Sequence, residues 1–408
     1  MKPDAQPLVP DRAADPAGHR GTNQQGMRAH NERLVLSLVR AHGALAKSDI
    51  ARISGLSAQT VSVIMRALEQ DGLLLRGDPV RGKIGQPSVP MSLAPDGAFF
   101  LGLKVGRRST DLILMDFLGR VTASRRQTYP YPTPDPVVAF VAEALPALVA
   151  TLPEAARTRI GGLGIAMPFQ MWNWAQFVGA PQAEMDAWRD RDLQAEIAAL
   201  ADMPVYVQND ATAACGAELV LGTGERAQDF LYFYLAHFIG GGLVLNGQLY
   251  TGRTGNGAAI GSMPVPGPDG AERQLISVAS LATLERYVAE AGSDSRMMWE
   301  RPDGWDIPVP VLDRWTDEAA RGIAHAILSA SAVIELEAVL IDGWMPPALR
   351  ADLVTRTAAQ LAALDLAGID APVIREGTVG HEARTLGAAS IPLSQRYLID
   401  PNALLMHA

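Results

Sequence analysis

The sequence predicts a duplicated α/β fold behind a small winged helix-turn-helix module. Three observations lead there. Charge is split: from Arg28 to Met91 nine Lys and Arg stand against five Asp and Glu, whereas the whole chain carries −9, so a basic module precedes an acidic body. Hydrophobic spacing is helical before Gly72 and strand-like after Ala98. Strand runs followed by helix and strand occur twice, once from Phe99 and again from about Asp229. At 408 residues the chain is too long for one ordinary core.

Composition narrows the classes. Hydrophobic content of 48% with 19% charged residues suits a soluble globular protein. No apolar run approaches the roughly 20 residues of a membrane-spanning helix, and no membrane partner is expected. Residues 1–27, rich in Pro, Asp, Gly and Gln, read as a disordered arm without the apolar core of a signal peptide, so the cytoplasm is the expected location. The single cysteine, Cys215, excludes an internal disulfide and any multi-cysteine zinc site. Among small residues of a helical run it reads as a packed core thiol.

The module comes first. Leu34, Val35, Leu38 and Val39 recur at helical spacing and Gly43 stops that helix. A second helix runs from about Lys47 to Ile53. After the turn "SGLS", Ser57 is suited to cap a third helix with Val61, Ile64, Met65 and Leu68 on one face. Two short helices around a tight Gly-containing turn describe a helix-turn-helix. Ser57, Gln59, Thr60 and Ser62 line the start of the third helix, with Arg66 a turn further on and Lys47 at the start of the second; such groups can reach base edges and phosphates. "RGDPVRGKIGQPSVPMSL" reads as a β-wing whose Arg81, Lys83 and Gly85 backbone would touch the DNA. The expected partner is a double-stranded operator.

In the body, Phe99–Val105, Thr110–Asp116 and Arg120–Tyr129 read as consecutive strands, then a helix over about 135–150 and a strand "IGGLGIAMP". A long irregular segment with Trp172, Trp174 and Trp188 follows. The second half opens with "DFLYFYLA" and "GGGLVLNGQLY", a hairpin turning at Asn246-Gly247. Helices are expected over about 275–291 and 316–337, and strands at "AVLIDG" and "PVIRE". Between the halves, "PVYVQNDATAACGAE" sets Asn209 and Asp210 where a strand hands over to a helix, an edge where ligands bind in α/β proteins. The alternative is that Asp210 merely caps the helix.

These segments resemble the ROK family (repressors, open reading frames and kinases). "NERLVLSLVRAHGALAKSDIARISGLSAQTVS" is similar to the winged helix of its repressor branch. "PVYVQNDATAACGAELVLGTG" resembles its Asn-Asp strand end, and "FIGGGLVLNGQLYTGRTGNGAAIGSMPV" its Gly-rich loop and sugar-contacting segment. The resemblance implies an actin-like (RNase H-like) sugar-kinase fold. Its expected bounds are an arm at 1–27, a winged helix-turn-helix at 28–94, one lobe at 95–226 plus 378–408 and a second at 227–377. It also implies that Asp210 matches the general base of kinase members and Asn209 a group holding a neighbouring hydroxyl.

The departures matter equally. Lys104-Val105-Gly106-Arg107-Arg108 stands where the family's first phosphate loop has an Asp and a Gly-Gly-Thr turn, and Ala236, His237 and Phe238 replace small residues of the second, while Gly240, Gly241 and Gly242 remain. A phosphate cradle needs small residues so that backbone N–H groups can approach. Ala259 and Ser262 replace a Glu and a His that contact sugar, leaving Asn209, Asp210 and Ser262 as the effector-binding candidates. His237 reads as structural. No structural zinc, no cofactor and no catalytic residue is expected. The reading is a transcriptional regulator, a repressor, that senses a sugar or sugar phosphate as a homodimer or tetramer. The alternatives are a sugar kinase with a regulatory module, and a repressor whose body no longer senses sugar.

Overall fold

The computed structural model of the protein describes residues 24–79 and 88–399. Most of the expected arm lies outside them, as do Arg81, Lys83 and Gly85 of the expected wing. By internal contacts the described residues fall into two units, one holding residues 166–169 and 208–387, the other the remainder.

The module follows from its apolar spacing. Helix α1 (Gln24–His42) leads through β1 (Ala44–Ala46) into α2 (Lys47–Ser54) and α3 (Ala58–Gln70), and β2 (Leu74–Arg76) and β3 (Pro90–Leu93) complete it. Both β1 and β2 pair antiparallel with β3, so Leu74 faces Leu93 and Ala44 faces Ser92. The wing strands are where the pattern puts them. Strand β1 is an addition, because a three-residue strand is too short to show alternation. Val35, Val39, Ile50, Val61, Met65, Leu74 and Met91 are buried together. Each such side chain is worth about 1.5–3 kcal/mol on leaving water, which is how so small a module holds its helices.

The first sheet comprises β4 (Phe99–Val105), β5 (Ser109–Asp116) and β6 (Val121–Thr128). Helices α4 (Pro134–Val149) and α5 (Glu154–Arg157) lead to β7 (Ile160–Met167). The segment read as irregular holds a 3-10 turn (Met171–Trp174) and the short helices α6 (Ala175–Val178), α7 (Gln182–Asp186) and α8 (Leu193–Leu200) before β8 (Val205–Asn209). Gly179, Pro181 and the capping residue Asp192 interrupt it, so no apolar period has room to develop. Trp188 is buried and donates from Nε1 to the Pro132 carbonyl at 3.1 Å. Strand order is β6-β5-β4-β7-β8.

The second half begins with α9 (Asp210–Leu221). Strands β9 (Phe230–Leu235), β10 (Ile239–Leu245) and β11 (Gln248–Tyr250) follow, then the pair β12 (Pro264–Pro266) and β13 (Glu272–Gln274). Helices α10 (Leu275–Ala279), α11 (Leu281–Glu290), α12 (Met297–Glu300) and α13 (Val309–Ser331) lead to β14 (Ala338–Gly343), α14 (Pro347–Ala362), β15 (Val373–Glu376) and α15 (Ala383–Tyr397). The order β11-β10-β9-β14-β15 repeats that of the first sheet. Asn246 and Gly247 have φ of 53° and 69°, the left-handed pair that a two-residue hairpin turn requires.

Two helices differ from expectation. The run over 275–291 is broken at Ser280, whose backbone is extended; its hydroxyl accepts from the Ile239 N–H at 2.9 Å and its carbonyl from Trp315 Nε1 at 3.1 Å. Tertiary partners outweigh helix continuity there. Helix α13 starts at Val309 rather than near Thr316 and ends at Ser331, because a proline in the first turn is compatible with a helix start. Helices α14 and α15 were not singled out. Trp315, Phe233, Leu284, Ile323, Val339 and Ile341 share the core of this unit.

Candidate nucleic-acid interface and effector site

The turn between α2 and α3 is built by small residues. Gly55 sits at φ 72° beyond α2 and donates to the Ala51 carbonyl at 3.0 Å. The Ser54 hydroxyl donates to the Ile50 carbonyl at 2.6 Å and accepts from the Leu56 N–H at 3.2 Å. Ser57 caps α3: its Oγ accepts from the Thr60 N–H at 3.1 Å and lies 2.8 Å from the Thr60 hydroxyl. Ser57 and Thr60, both read from the sequence as groups for DNA, therefore hold each other.

The outward side of α3 carries Ala58, Gln59, Val63 and Arg66, all exposed, with Ser62 half-buried beside them. Lys47 Nζ donates to Ser62 Oγ at 3.3 Å. That contact sets an ammonium at the edge of the same face. Behind α3, Glu69 receives Arg76 Nε at 3.1 Å and Nη2 at 3.0 Å, clasping β2 to the helix. The Arg76 hydrogen bond draws the Glu69 carboxyl below its ordinary range. The structure thus sets Gln59, Ser62 and Arg66 along one side of α3, with Lys47 against Ser62 at its edge. Val63 was missed because apolar positions on a helix are read as core unless burial is known.

At the other candidate site, the cap is Asn209 and not Asp210. Asn209 Oδ1 accepts from the Ala211 and Thr212 N–H groups at 3.1 and 3.2 Å. Asp210 is the first helical residue, and its Oδ2 receives Arg384 Nη1 at 3.1 Å with the two side chains only 14% and 18% exposed. The Arg384 guanidinium lies 5.2 Å from the centre of the Tyr234 ring, whose hydroxyl donates to the His381 carbonyl at 2.9 Å. Burial, against the opposing pull of Arg384, pushes Tyr234 up to about 12. Burial works against the charge on Arg384, but Tyr234 and Asp210 outweigh it and hold its pKa above the ordinary value. Arginine 384 had no signal in the sequence, since it lies far along the chain from Asp210.

Gly240, Gly241 and Gly242 lie within β10, and their smallness has a packing reason. A Cβ on Gly240 would lie 2.7 Å from Ala211 Cβ, and one on Gly242 would collide with Cys215. A Cβ on Gly241 would strike the Tyr232 carbonyl and Ile260. Side chains alternate faces along a strand, so α9 lies tight on one side of β10 and the turn Ile260–Ser262 on the other. Ser262 is exposed at the end of that turn, which packs on the face of β10 away from α9. The loop before it comes nearer: a Cβ on Gly255 would lie 3.8 Å from Gln208 Oε1. Cys215 is wholly buried, and burial pushes its thiol pKa well up.

The two altered turns are also packed. Lys104 Nζ donates to Asp111 Oδ2 at 2.6 Å and to Ser109 Oγ at 3.0 Å. A Cβ on Gly106 would lie 2.8 Å from Lys104 Cε, so the lysine stem lies over the turn. Tyr129 closes it from the Gly106 carbonyl side, donating at 2.7 Å. Burial would raise Asp111, yet Lys104 prevails and holds its carboxyl below the usual range. At the second turn His237 sits 5.4 Å from Trp299 and 3.8 Å from Glu285, a packed cluster in keeping with a structural histidine. No helix of the described residues is long and apolar enough to cross a membrane.

Comparison with known proteins agrees with this architecture. Residues 28–74 match the family described as winged helix-turn-helix DNA-binding. The crystal structure of a ROK family transcriptional regulator, a homologue of the E. coli MLC protein, superposes with a TM-score of 0.66 at 21% identity, covering 93% of this chain and 98% of that one. The ROK hexokinase of Thermus thermophilus gives 0.51 at 24%, covering 71% and 96%. The xylose repressor of Bacillus subtilis is 22% identical over 235 residues, 58% of this chain and 60% of the repressor, so the chain spans about three fifths of that relative. Residues 100–394, well over half of the sequence, match the ROK family, and the chain accordingly belongs to the ROK family, with a winged helix-turn-helix domain ahead of its ROK domain.

Proposed function

We infer that this ROK protein is a DNA-binding transcriptional regulator, a repressor, whose body senses a sugar-like effector in place of phosphorylating it. The observation that carries the reading is α3: a capped helix whose outward side presents Gln59, Ser62 and Arg66 beside Lys47, on a module joined to a ROK body. The relatives named as a xylose repressor and a ROK regulator support it. Arg81, Lys83 and Gly85 of the wing add contacts to phosphate or the minor groove. The protein works in the cytoplasm as a homodimer or tetramer, placing paired α3 helices in successive major grooves of a near-palindromic operator.

The effector, a sugar or sugar phosphate, is held by the Asn209 amide and by Asp210, with Ser262 contributing from its turn. Asn209 keeps its Nδ2 donor while Oδ1 serves the cap. Coupling of effector to operator binding in such switches is about 1–3 kcal/mol, or roughly 5–150-fold in affinity. Genome-wide footprinting of the protein gives the operator, and a thermal-shift screen against carbohydrates gives the effector, since a specific ligand raises stability by mass action. Asp210→Ala should then lose the effector response and keep operator binding in its absence. A normal response in Asp210→Ala refutes the clamp. The hexokinase likeness favours a second reading, a kinase; sugar-dependent ADP release by the full chain would establish it. A chain that binds an operator but no carbohydrate would instead be a repressor that has lost sugar sensing.

A further inference from the structure

The centre of the α3 outward face is apolar. Val63 is 58% exposed, whereas Val61, Ile64 and Met65 around it are buried. Residues three and four apart share a helix side, so Gln59, Val63 and Arg66 form one row with Ser62 beside it. Ser57 and Thr60 are spent on the cap, which leaves this row to meet whatever the helix faces. Gln59 and Arg66 offer directional donors; Val63 offers only two methyl groups. The rim of the row is cationic, through Arg66 and the Lys47 ammonium 3.3 Å from Ser62, and that charge suits a polyanion rather than a second protein surface.

The major groove presents one apolar feature, the C5-methyl of thymine. We propose that Val63 is a specificity-determining residue that packs on a thymine methyl in the operator, between the base met by Gln59 and the one met by Arg66. The assignment rests on the DNA-binding reading above. It adds to that reading a named residue and a named base group.

The test uses the full chain and duplexes selected from a random library. Each dT of the selected site is replaced singly by dU, which removes only the methyl, and binding is measured for the native chain and for Val63→Ser. At one thymine, or a symmetric pair, dU should weaken the native chain about fourfold, the worth of one buried methyl. Val63→Ser should bind the dT and dU duplexes alike. Its melting temperature should match that of the native chain, because the side chain is mostly in water. A selected site with no thymine whose methyl loss is felt by the native chain and ignored by Val63→Ser overturns the assignment while leaving DNA binding intact. Failure to select any duplex overturns the DNA-binding reading and the assignment with it.

Discussion

Helices α3 and α9 begin in the same way and differ in what comes next. Ser57 and Asn209 each turn a side-chain oxygen back onto the first N–H groups of the helix that follows. Both had been read from the sequence as groups that touch a ligand. Beyond the cap, α3 leaves Gln59, Val63 and Arg66 in solvent, whereas α9 places Asp210 in a nearly buried pair with Arg384. The same local chemistry therefore gives an open face in one place and, in the other, a carboxylate whose Oδ2 is already engaged by an arginine. A polar residue at a helix start marks the cap first, and burial of its neighbours decides which side chains are left for a partner.

The pair at α9 offers the strongest way to break this contrast. Arg384→Ala should destabilise the protein by about 3 kcal/mol in urea unfolding, because it removes the guanidinium that pairs with Asp210 in a site shielded from water. A loss under about 1 kcal/mol would mean the carboxylate is well solvated, and α9 would then be as open as α3. Next comes Gln59→Ala, which should cost about 2 kcal/mol of discrimination at one operator base and change stability by no more than about 0.5 kcal/mol. Base-by-base competition binding, set beside a melt, checks both halves.

The caps themselves should be equal. Ser57→Ala and Asn209→Ala should each cost about 1 kcal/mol, with Ser57→Thr and Asn209→Asp keeping most of the loss at bay. If Ser57→Ala abolished sequence-specific binding without loss of stability, the hydroxyl would be a base contact and the shared cap no more than a resemblance. The smallest effect is in acid. The Asp111 carboxyl, paired with Lys104, titrates below its usual range in the folded protein. Its contribution is thus present above the ordinary carboxylate pKa and lost as pH falls through the folded value. Asp111→Asn should flatten that part of the stability profile, and an unchanged acid limb would show the pair to be idle.

Much of the architecture was legible early. The hairpin at Asn246-Gly247, the paired strand runs and the capped third helix of the module all rest on local rules, and local rules can be read in one dimension. The helix break at Ser280 was not legible, since it depends on Ile239 and Trp315 arriving from elsewhere. At the candidate effector site Asn209 and Asp210 stand out in the sequence, but their division of labour does not. A cap was the alternative role for the carboxylate, and in the fold the amide of Asn209 takes it. The glycines Gly240 to Gly242 looked like a remnant of a phosphate loop, and in the fold each is also required by a neighbour: Ala211, Ile260 or Cys215.

By itself the sequence determined the periods of its helices and strands, its turn chemistry, its division into basic module and acidic body, and its family. These depend on residues within a few positions of one another or on composition. Only the tertiary structure decided that Lys104 folds over its own turn onto Asp111, that Arg384 reaches Asp210, and that Val63 points into water while its neighbours do not. Burial and charge pairing join residues far apart in the chain, and no linear spacing encodes which of them will meet.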